Sequence, residues 1–338
     1  MKVHLSSCLG DKTKSAYCDE LGKLSELCKS ETIAWAATPE DADIILIVDI
    51  FESNLYSGLR RNRVWRQWPE KSFSYCEGDY PPRFLRGLQS SARKSTSGSG
   101  RFRGCAYPVH QRCYPNPCLL PAEGANEDKD LLFSFAGRAS HPIRKELFSL
   151  KWPGCDVLIE DTSHYRHFHD EAQNREEAHA HFWDLAQRSK YVLCPRGTGV
   201  SSVRIFEMME AGIAPVIISD DWLPPSGPNW EEFALFVSEK EIAGIYAKVK
   251  AHESEFAQRG AAARRAWECF FSPEKYWDLL LASIREIEKE QKLPEYYYAK
   301  ALPLMVFQEW IAQKIKHLSL LKCGVQNRIL KLMRVRAT

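Results

Sequence analysis

No apolar run in this 338-residue sequence approaches the length needed to span a bilayer; the longest, residues 44–50, is broken by Asp49 and has the size of a strand. The N-terminal residues Met1-Lys2-Val3-His4-Leu5-Ser6-Ser7 carry no long apolar segment, so no secretory signal is expected. The 11 cysteines contain no C-x-x-C pair. Cys8, Cys18 and Cys28 are evenly spaced, and Cys113 and Cys118 flank Tyr114-Pro115-Asn116-Pro117, but neither set has a zinc spacing. Reduced thiols in a cytoplasmic protein are the expectation. An excess of charge of one sign is also lacking: the net charge is +2, which argues against wholesale nucleic-acid binding and makes any electrostatic function local. There is no internal repeat.

What is present describes a packed globular chain, 44% hydrophobic and 27% charged, long enough for two domains. The first 120 residues read as an irregular α/β unit. Residues 2–5 form a short strand, and 16–29 a helix with Leu21, Leu24 and Leu27 at helical spacing. Residues 42–48 form a strand buried on both faces, and 72–79 another strand ending in a turn. Ser95-Thr96-Ser97-Gly98-Ser99-Gly100 reads as a mobile loop, and residues 119–130 as the linker.

Beyond it the pattern is cleaner. Strands are expected at 131–137, 156–159, 191–194 and 214–218, alternating with helices at 141–150, 175–188 and 203–211. That alternation implies a parallel sheet with right-handed crossovers. The expected division is 1–122, 123–270, and a helical end, 271–338, with a basic tail.

The chemistry concentrates between Tyr191 and Asp220. A strand ends at Cys194-Pro195, and a turn containing Gly197 and Gly199 lets backbone approach a ligand closely. Ser201 or Ser202 is placed to cap a helix whose free amides and dipole favour an anion. Arg196 and Arg204 add permanent charge in a form suited to paired phosphate oxygens. Glu207, three residues after Arg204, shares its helix face and can accept from ribose hydroxyls or simply orient Arg204. A structural turn with an ordinary surface ion pair fits the same residues.

Cys194-Pro195-Arg196-Gly197, Ser202 to Glu207, Ala211 to Ile217, Asp220, Leu223-Pro224 and Trp230 to Phe233 together resemble the C-terminal signature of exostosin-like glycosyltransferases. Phe135-Ala136-Gly137 followed by Arg138 and Arg144 resembles the opening strand of the same domain. The resemblance covers about residues 130–245. The N-terminal half is similar only in outline, and Pro225 departs from the usual phenylalanine.

The resemblance implies an α/β, GT-B type architecture: two Rossmann-like domains facing across a cleft, residues 1–122 on the acceptor side and 123–270 holding a nucleotide sugar. It implies an inverting hexosyl- or pentosyltransferase, UDP-sugar favoured, with a glycan or polysaccharide acceptor and neither cofactor nor essential metal. Gly137, Arg138, Arg144, Arg196, Gly197, Ser201, Ser202, Arg204 and Glu207 would line the donor site, with Arg204 on the diphosphate and Glu207 on the ribose. A non-catalytic nucleotide- or glycan-binding protein on the same scaffold is the alternative. A sugar-nucleotide epimerase or hydrolase is a third reading.

The base is expected from the first domain. Asp79, at a strand end before Pro81-Pro82, is the first choice, with Glu77, Asp49 and Glu52 as rivals. His164, His167, His169, His179 and His181 read as a solvated loop and helix start rather than a metal site, and Asp41-Ala42-Asp43 as a structural junction. The basic, aromatic stretch 60–68 is read as a solvated helix before a glycan contact. The last residues, with Lys314, Lys316, Lys322, Arg328, Lys331, Arg334 and Arg336 and no acid after Glu309, fit peripheral contact with a membrane surface or a helix closing back on the first domain.

Overall fold

A computed structural model of the chain describes residues 1–9, 16–28, 33–50, 53–119, 129–165, 172–311 and 314. Two parallel sheets organise it. The first runs β2-β1-β3-β4-β5-β6, with β1 Lys2–Ser7, β2 Ala34–Trp35, β3 Ile44–Val48, β4 Ser72–Cys76, β5 Gly87–Gln89 and β6 Phe102–Gly104. The second runs β11-β10-β9-β7-β8, with β7 Leu131–Gly137, β8 Val157–Asp161, β9 Ser189–Pro195, β10 Ala214–Ile218 and β11 Leu235–Phe236. Every ladder in both sheets is parallel. The chain is therefore α/β, as expected.

The continuous apolar strands are the buried ones. All five residues of β3 and of β10, and all seven of β7, are buried, as strands covered by helices on both faces require. The helix Ala16–Leu27 buries Leu21 and Leu24 against the first sheet, and the helix Ala172–Arg188 buries Trp183, Leu185 and Ala186 against the second.

Three expectations are corrected. The Ser95–Gly100 segment is docked: the helical turn Lys94–Ser97 is held by Asp221, which accepts from the Ser95 amide at 2.9 Å and the Ser95 hydroxyl at 3.0 Å. Serine hydroxyls find local partners as readily as they form linkers. Neither Ser201 nor Ser202 caps the helix Arg204–Glu210; its N-cap is Val203, in helical conformation with no side-chain cap bond. The first unit is more regular than it reads, because β5 and β6 are three-residue strands with little periodicity to detect. Residues 120–128 of the expected linker and the tail from 315 onward lie outside the described residues.

The two units are tied by backbone. Arg93 bridges Trp222 in antiparallel fashion, Leu223 donates to the Ala92 carbonyl at 2.9 Å, and Lys94 to the Asp221 carbonyl at 2.8 Å. Trp222 is buried in this seam, and its indole N–H donates to the Ser90 carbonyl at 3.1 Å. After the second sheet the chain returns: Trp277, in the helix Tyr276–Glu290, donates to the Leu21 carbonyl at 3.1 Å, and the buried ion pair Arg101–Glu295 (2.6 Å) fastens the next helix, Glu295–Lys300, to the first unit.

Candidate active site

Each sheet reverses its strand order once, between β1 and β3 in the first and between β7 and β9 in the second. Open parallel sheets bind ligands at the carboxyl ends of strands at such points. Both points open into one cleft. A cavity of about 580 Å³ is lined from the first unit by Asp49, Glu77 and Asp79 and from the second by Arg138, Arg144, Gly197, Ser201 and Ser202. It adjoins a cavity of about 890 Å³ lined by Gly137, Arg138, Arg144, Arg204 and Glu207.

Arg144 closes the gap between β7 and β9. Its Nε donates to the Arg196 carbonyl at 2.9 Å, Nη2 to the Pro195 carbonyl at 2.9 Å and Nη1 to the Arg138 carbonyl at 3.3 Å. Burial and the neighbouring Arg204 charge push its pKa down to about 9, which leaves it cationic at neutral pH. Arg204 donates from Nη2 to the Ala136 carbonyl at 2.7 Å and lies between the Phe135 and Phe182 rings, 4.8 and 5.1 Å from their centroids. Burial lowers its pKa as well, and its Nε is buried without a hydrogen-bond partner among the described residues. A Cβ on Gly137 would stand 2.7 Å from the Phe135 ring and 3.4 Å from Arg204 Nη2, so glycine is what lets that guanidinium cross the strand end.

Among the described residues no carboxylate forms an ion pair with Arg138, Arg144 or Arg204. Cations held in a low-dielectric wall by neutral carbonyls attract an anion strongly. Glu207 faces the same cavity; burial raises its pKa and the Arg204 charge opposes the rise. Arg204 and Glu207 make no ion pair, which removes the reading of them as an ordinary surface pair. Arg196 is not brought to either cavity. Its guanidinium turns back to the Gly199 carbonyl at 3.2 Å and to Glu239 at 3.7 Å, because the carboxylate beyond β11 outcompetes open solvent. It serves the site through its carbonyl, which orients Arg144.

On the opposite wall, Glu77 is committed. It accepts from the amides of Val109 at 3.1 Å and His110 at 2.7 Å and from the Tyr75 hydroxyl, anchoring the start of the helix Pro108–Cys113. Burial pushes its carboxyl up to about 7 against those three donors. Asp79 is exposed at the cleft and abuts the glycine turn of the second unit: a Cβ on Gly199 would lie 2.7 Å from its Oδ1. Asp49 is buried at the end of β3 and accepts from the Ser7 hydroxyl at 2.6 Å across the first reversal point. Its φ of 60° places a non-glycine residue in the left-handed region, a strain that clusters at functional positions. Glu52 lies outside the described residues.

Sequence reasoning missed His110, Tyr114 and Phe182 in the cleft walls; the irregular stretch 105–119 gave no periodicity by which to place the first two. His167 and His169 lie outside the described residues, while His164, His179 and His181 line the larger cavity. His181 pairs with Glu160 at 2.6 Å. Among the described residues no three His, Cys, Asp or Glu side chains cluster to hold a metal. Asp41 and Asp43 are structural, accepting from the Thr38 hydroxyl and the Lys2 amide. Trp65, in the basic stretch 60–68, is buried against Phe84, while Arg61, Arg63 and Arg66 are exposed and Arg60 donates to the Leu55 carbonyl at 2.7 Å.

Residues 88–251 match the family model described as the Exostosin GT47 domain. Exostosin-1 of Drosophila melanogaster is 31% identical over 266 residues, which cover 72% of this chain and 32% of that protein. The Exostosin-1 homolog of Caenorhabditis elegans is 26% identical over 143 residues, 40% of this chain and 35% of that one. A probable β-1,4-xylosyltransferase of Arabidopsis thaliana is 38% identical over 63 residues, 18% of this chain and 15% of that one. The chain thus spans about a third or less of these relatives' length. A crystal structure of an α1,3-fucosyltransferase with GDP-fucose aligns with a TM-score of 0.34 at 14% identity, over 87% of this chain and 91% of that one. The segment carrying Arg144, Arg204 and Glu207 falls inside the family match, and residues 88–251 of the chain are similar to the Exostosin GT47 domain family.

Proposed function

We propose that this chain is an inverting glycosyltransferase, moving a sugar from a nucleoside diphosphate, UDP preferred, to a hydroxyl of a glycan or polysaccharide. The observation that carries the reading is the pair of buried guanidiniums, Arg144 and Arg204, facing a cleft with no carboxylate paired to either among the described residues. The diphosphate sits against Arg138, Arg144 and Arg204, and Glu207 accepts from the ribose hydroxyls. Asp79, across the smaller cavity, takes the acceptor proton as the acceptor oxygen bonds to the anomeric carbon. The bond from that carbon to the phosphate oxygen breaks, and its electron pair leaves with the nucleoside diphosphate. The guanidiniums stabilise that departing charge, the task a divalent ion performs elsewhere. The sugar is a hexose derivative or a pentose, in keeping with the xylosyltransferase named among the relatives.

The test is thermal unfolding with UDP, GDP and their sugars. A ligand of the native state raises apparent stability by mass action, and a uridine diphosphate should raise it most. No shift with any nucleoside diphosphate, or free diphosphate never released in the presence of an acceptor, overturns the proposal in favour of a non-catalytic binder.

A further inference from the structure

The two cavities of the cleft share part of their lining. Asp79 borders the smaller, Arg204 and Glu207 border the larger, and His110 and Tyr114 border both. Among the described residues these two are all that the first unit contributes where the cavities meet; Arg138, Ser140, Arg144 and Thr198 face them from the second unit. Glycosyl transfer needs this junction. The diphosphate lies against Arg144 and Arg204, and the acceptor hydroxyl lies beside Asp79. The acceptor oxygen can bond to the anomeric carbon only if that carbon, still joined to the diphosphate, stands between the two. The ring of the transferred sugar therefore occupies the junction.

His110 and Tyr114 are fixed in place there. The helix Pro108–Cys113 starts on Glu77, whose carboxyl oxygens accept from the Val109 amide at 3.1 Å and the His110 amide at 2.7 Å. It ends at Tyr114, whose amide donates to the His110 carbonyl at 2.9 Å. The His110 and Tyr114 rings lie 5.1 Å apart. His110 Nδ1 and the Tyr17 hydroxyl are in hydrogen-bond contact at 3.1 Å, which fixes the rotation of the imidazole. Tyr107, just before the helix, packs edge-on against Phe206 of the second unit at 6.0 Å, so the pair keeps its position relative to both cavities.

The side chains suit a sugar. A monosaccharide carries hydroxyls around its edge and C–H groups on its faces. Imidazole and phenol can each donate or accept a hydrogen bond, and their ring faces are apolar. Tyr114 is 43% exposed, so ring surface remains for a ligand to cover. A site built to bond one hydroxyl rejects a sugar that lacks it, because its own polar groups are then left unpaired.

We propose that His110 and Tyr114 bind the sugar being transferred and decide which sugar the protein accepts. The inference rests on the glycosyl transfer proposed above, and it gives the first unit a share in donor recognition.

The experiment is calorimetric binding of UDP, UDP-glucose, UDP-glucuronate and UDP-xylose to the full chain, as parent, His110→Ala and Tyr114→Ala. The quantity read is the Kd of each sugar nucleotide divided by that of UDP. For the sugar that the parent holds best, the ratio should rise roughly tenfold in His110→Ala and roughly threefold to tenfold in Tyr114→Ala, the loss of one hydrogen bond or one ring contact. Affinity for UDP itself should stay within about twofold of the parent's, because Arg144, Arg204 and Glu207 are unchanged. Damage to the fold would weaken both ligands together, and melting temperatures equal to the parent's exclude it independently. An unchanged ratio in either variant overturns the assignment of that residue and leaves glycosyl transfer standing. Equal losses of UDP and sugar-nucleotide affinity also overturn it, by placing the pair on the nucleotide. A parent that binds none of these ligands removes the nucleotide site on Arg144 and Arg204, and this subsite with it.

Discussion

Arg204 and Glu207 stand one helical turn apart on the same wall of the cleft and do not pair; the guanidinium donates to the Ala136 carbonyl at 2.7 Å, and its Nε has no partner among the described residues. Each is therefore available to a different part of one ligand. Arg204→Ala should lower kcat/KM by about a hundredfold or more, the cost of deleting one charge-stabilising donor. Glu207→Gln should raise donor KM by roughly tenfold, the scale of a hydrogen bond to a charged group. Inhibition by inorganic pyrophosphate separates the two: Arg204→Ala should weaken it and Glu207→Gln should not. Equal loss in both variants would reject this division of roles.

The first unit offers three carboxylates to the smaller cavity, and they differ in exposure; Glu77 is held by the Val109 and His110 amides and the Tyr75 hydroxyl. Asp49 is buried and bonded to Ser7, while Asp79 is exposed to the cleft. A base must reach the acceptor hydroxyl and release its proton afterwards, which favours Asp79. Asp79→Asn should lower kcat by about a hundredfold to ten-thousandfold, with the donor-induced thermal shift retained. Asp49→Asn keeps the bond to Ser7 and should cost far less. The reverse ranking transfers the role to Asp49.

How far the sequence reveals this site depends on what each residue's position rests on. Strands β3, β7, β9 and β10 are legible because burial on both faces demands unbroken apolar runs, and such runs are local in sequence. Arg204 and Glu207 are legible because helical spacing fixes their shared face. The direction of Arg196 is not: it turns on Glu239, 43 positions away, whose proximity follows only once β10 and β11 pair. The docking of Ser95 on Asp221 is hidden for the same reason, since a serine–glycine run has the same composition whether it is free or bound. Arg144 is legible only through family resemblance, and its work as a staple between two strand ends is a property of the assembled sheet.

Glu210 gives the fold a pH dependence. Burial pushes its carboxyl from 4.5 to about 7, the nearby Arg264 opposes the rise, and Glu207 adds to it. A carboxyl raised in the folded state contributes stability that is fully present below its unfolded pKa and lost as pH rises through the folded one. The wild type should therefore lose stability relative to Glu210→Gln between about pH 4.5 and 7, at most about 1.4 kcal/mol per pH unit. Glu77 carries a shift of the same sign, so the difference between the two proteins, rather than either profile alone, is the informative quantity. Urea unfolding across that range checks it, and parallel profiles would reject the assignment.

Two glycines separate folding from catalysis. Gly87 has φ +153°, and a Cβ there would stand 2.0 Å from the Ser74 carbonyl oxygen, inside the β4–β5 pairing of the first sheet. No local shift accommodates that contact, so Gly87→Ala should destabilise the protein by roughly 3 kcal/mol or more. Gly199 is different. Its Cβ would meet Ser91 Oγ at 2.4 Å and Asp79 Oδ1 at 2.7 Å, both in the other unit. The backbone seam at residues 92–95 and 221–223 holds the two units on either side of this contact, so the strain falls on the cleft wall. Displacing a reacting carboxylate by about 1 Å costs on the order of a hundredfold in rate. Gly199→Ala should thus keep most of its melting temperature and donor-induced shift while kcat falls with that of Asp79→Asn, and the double variant should be no slower than Asp79→Asn alone. Additive losses in the double variant would mean that Gly199 acts on something other than the position of Asp79.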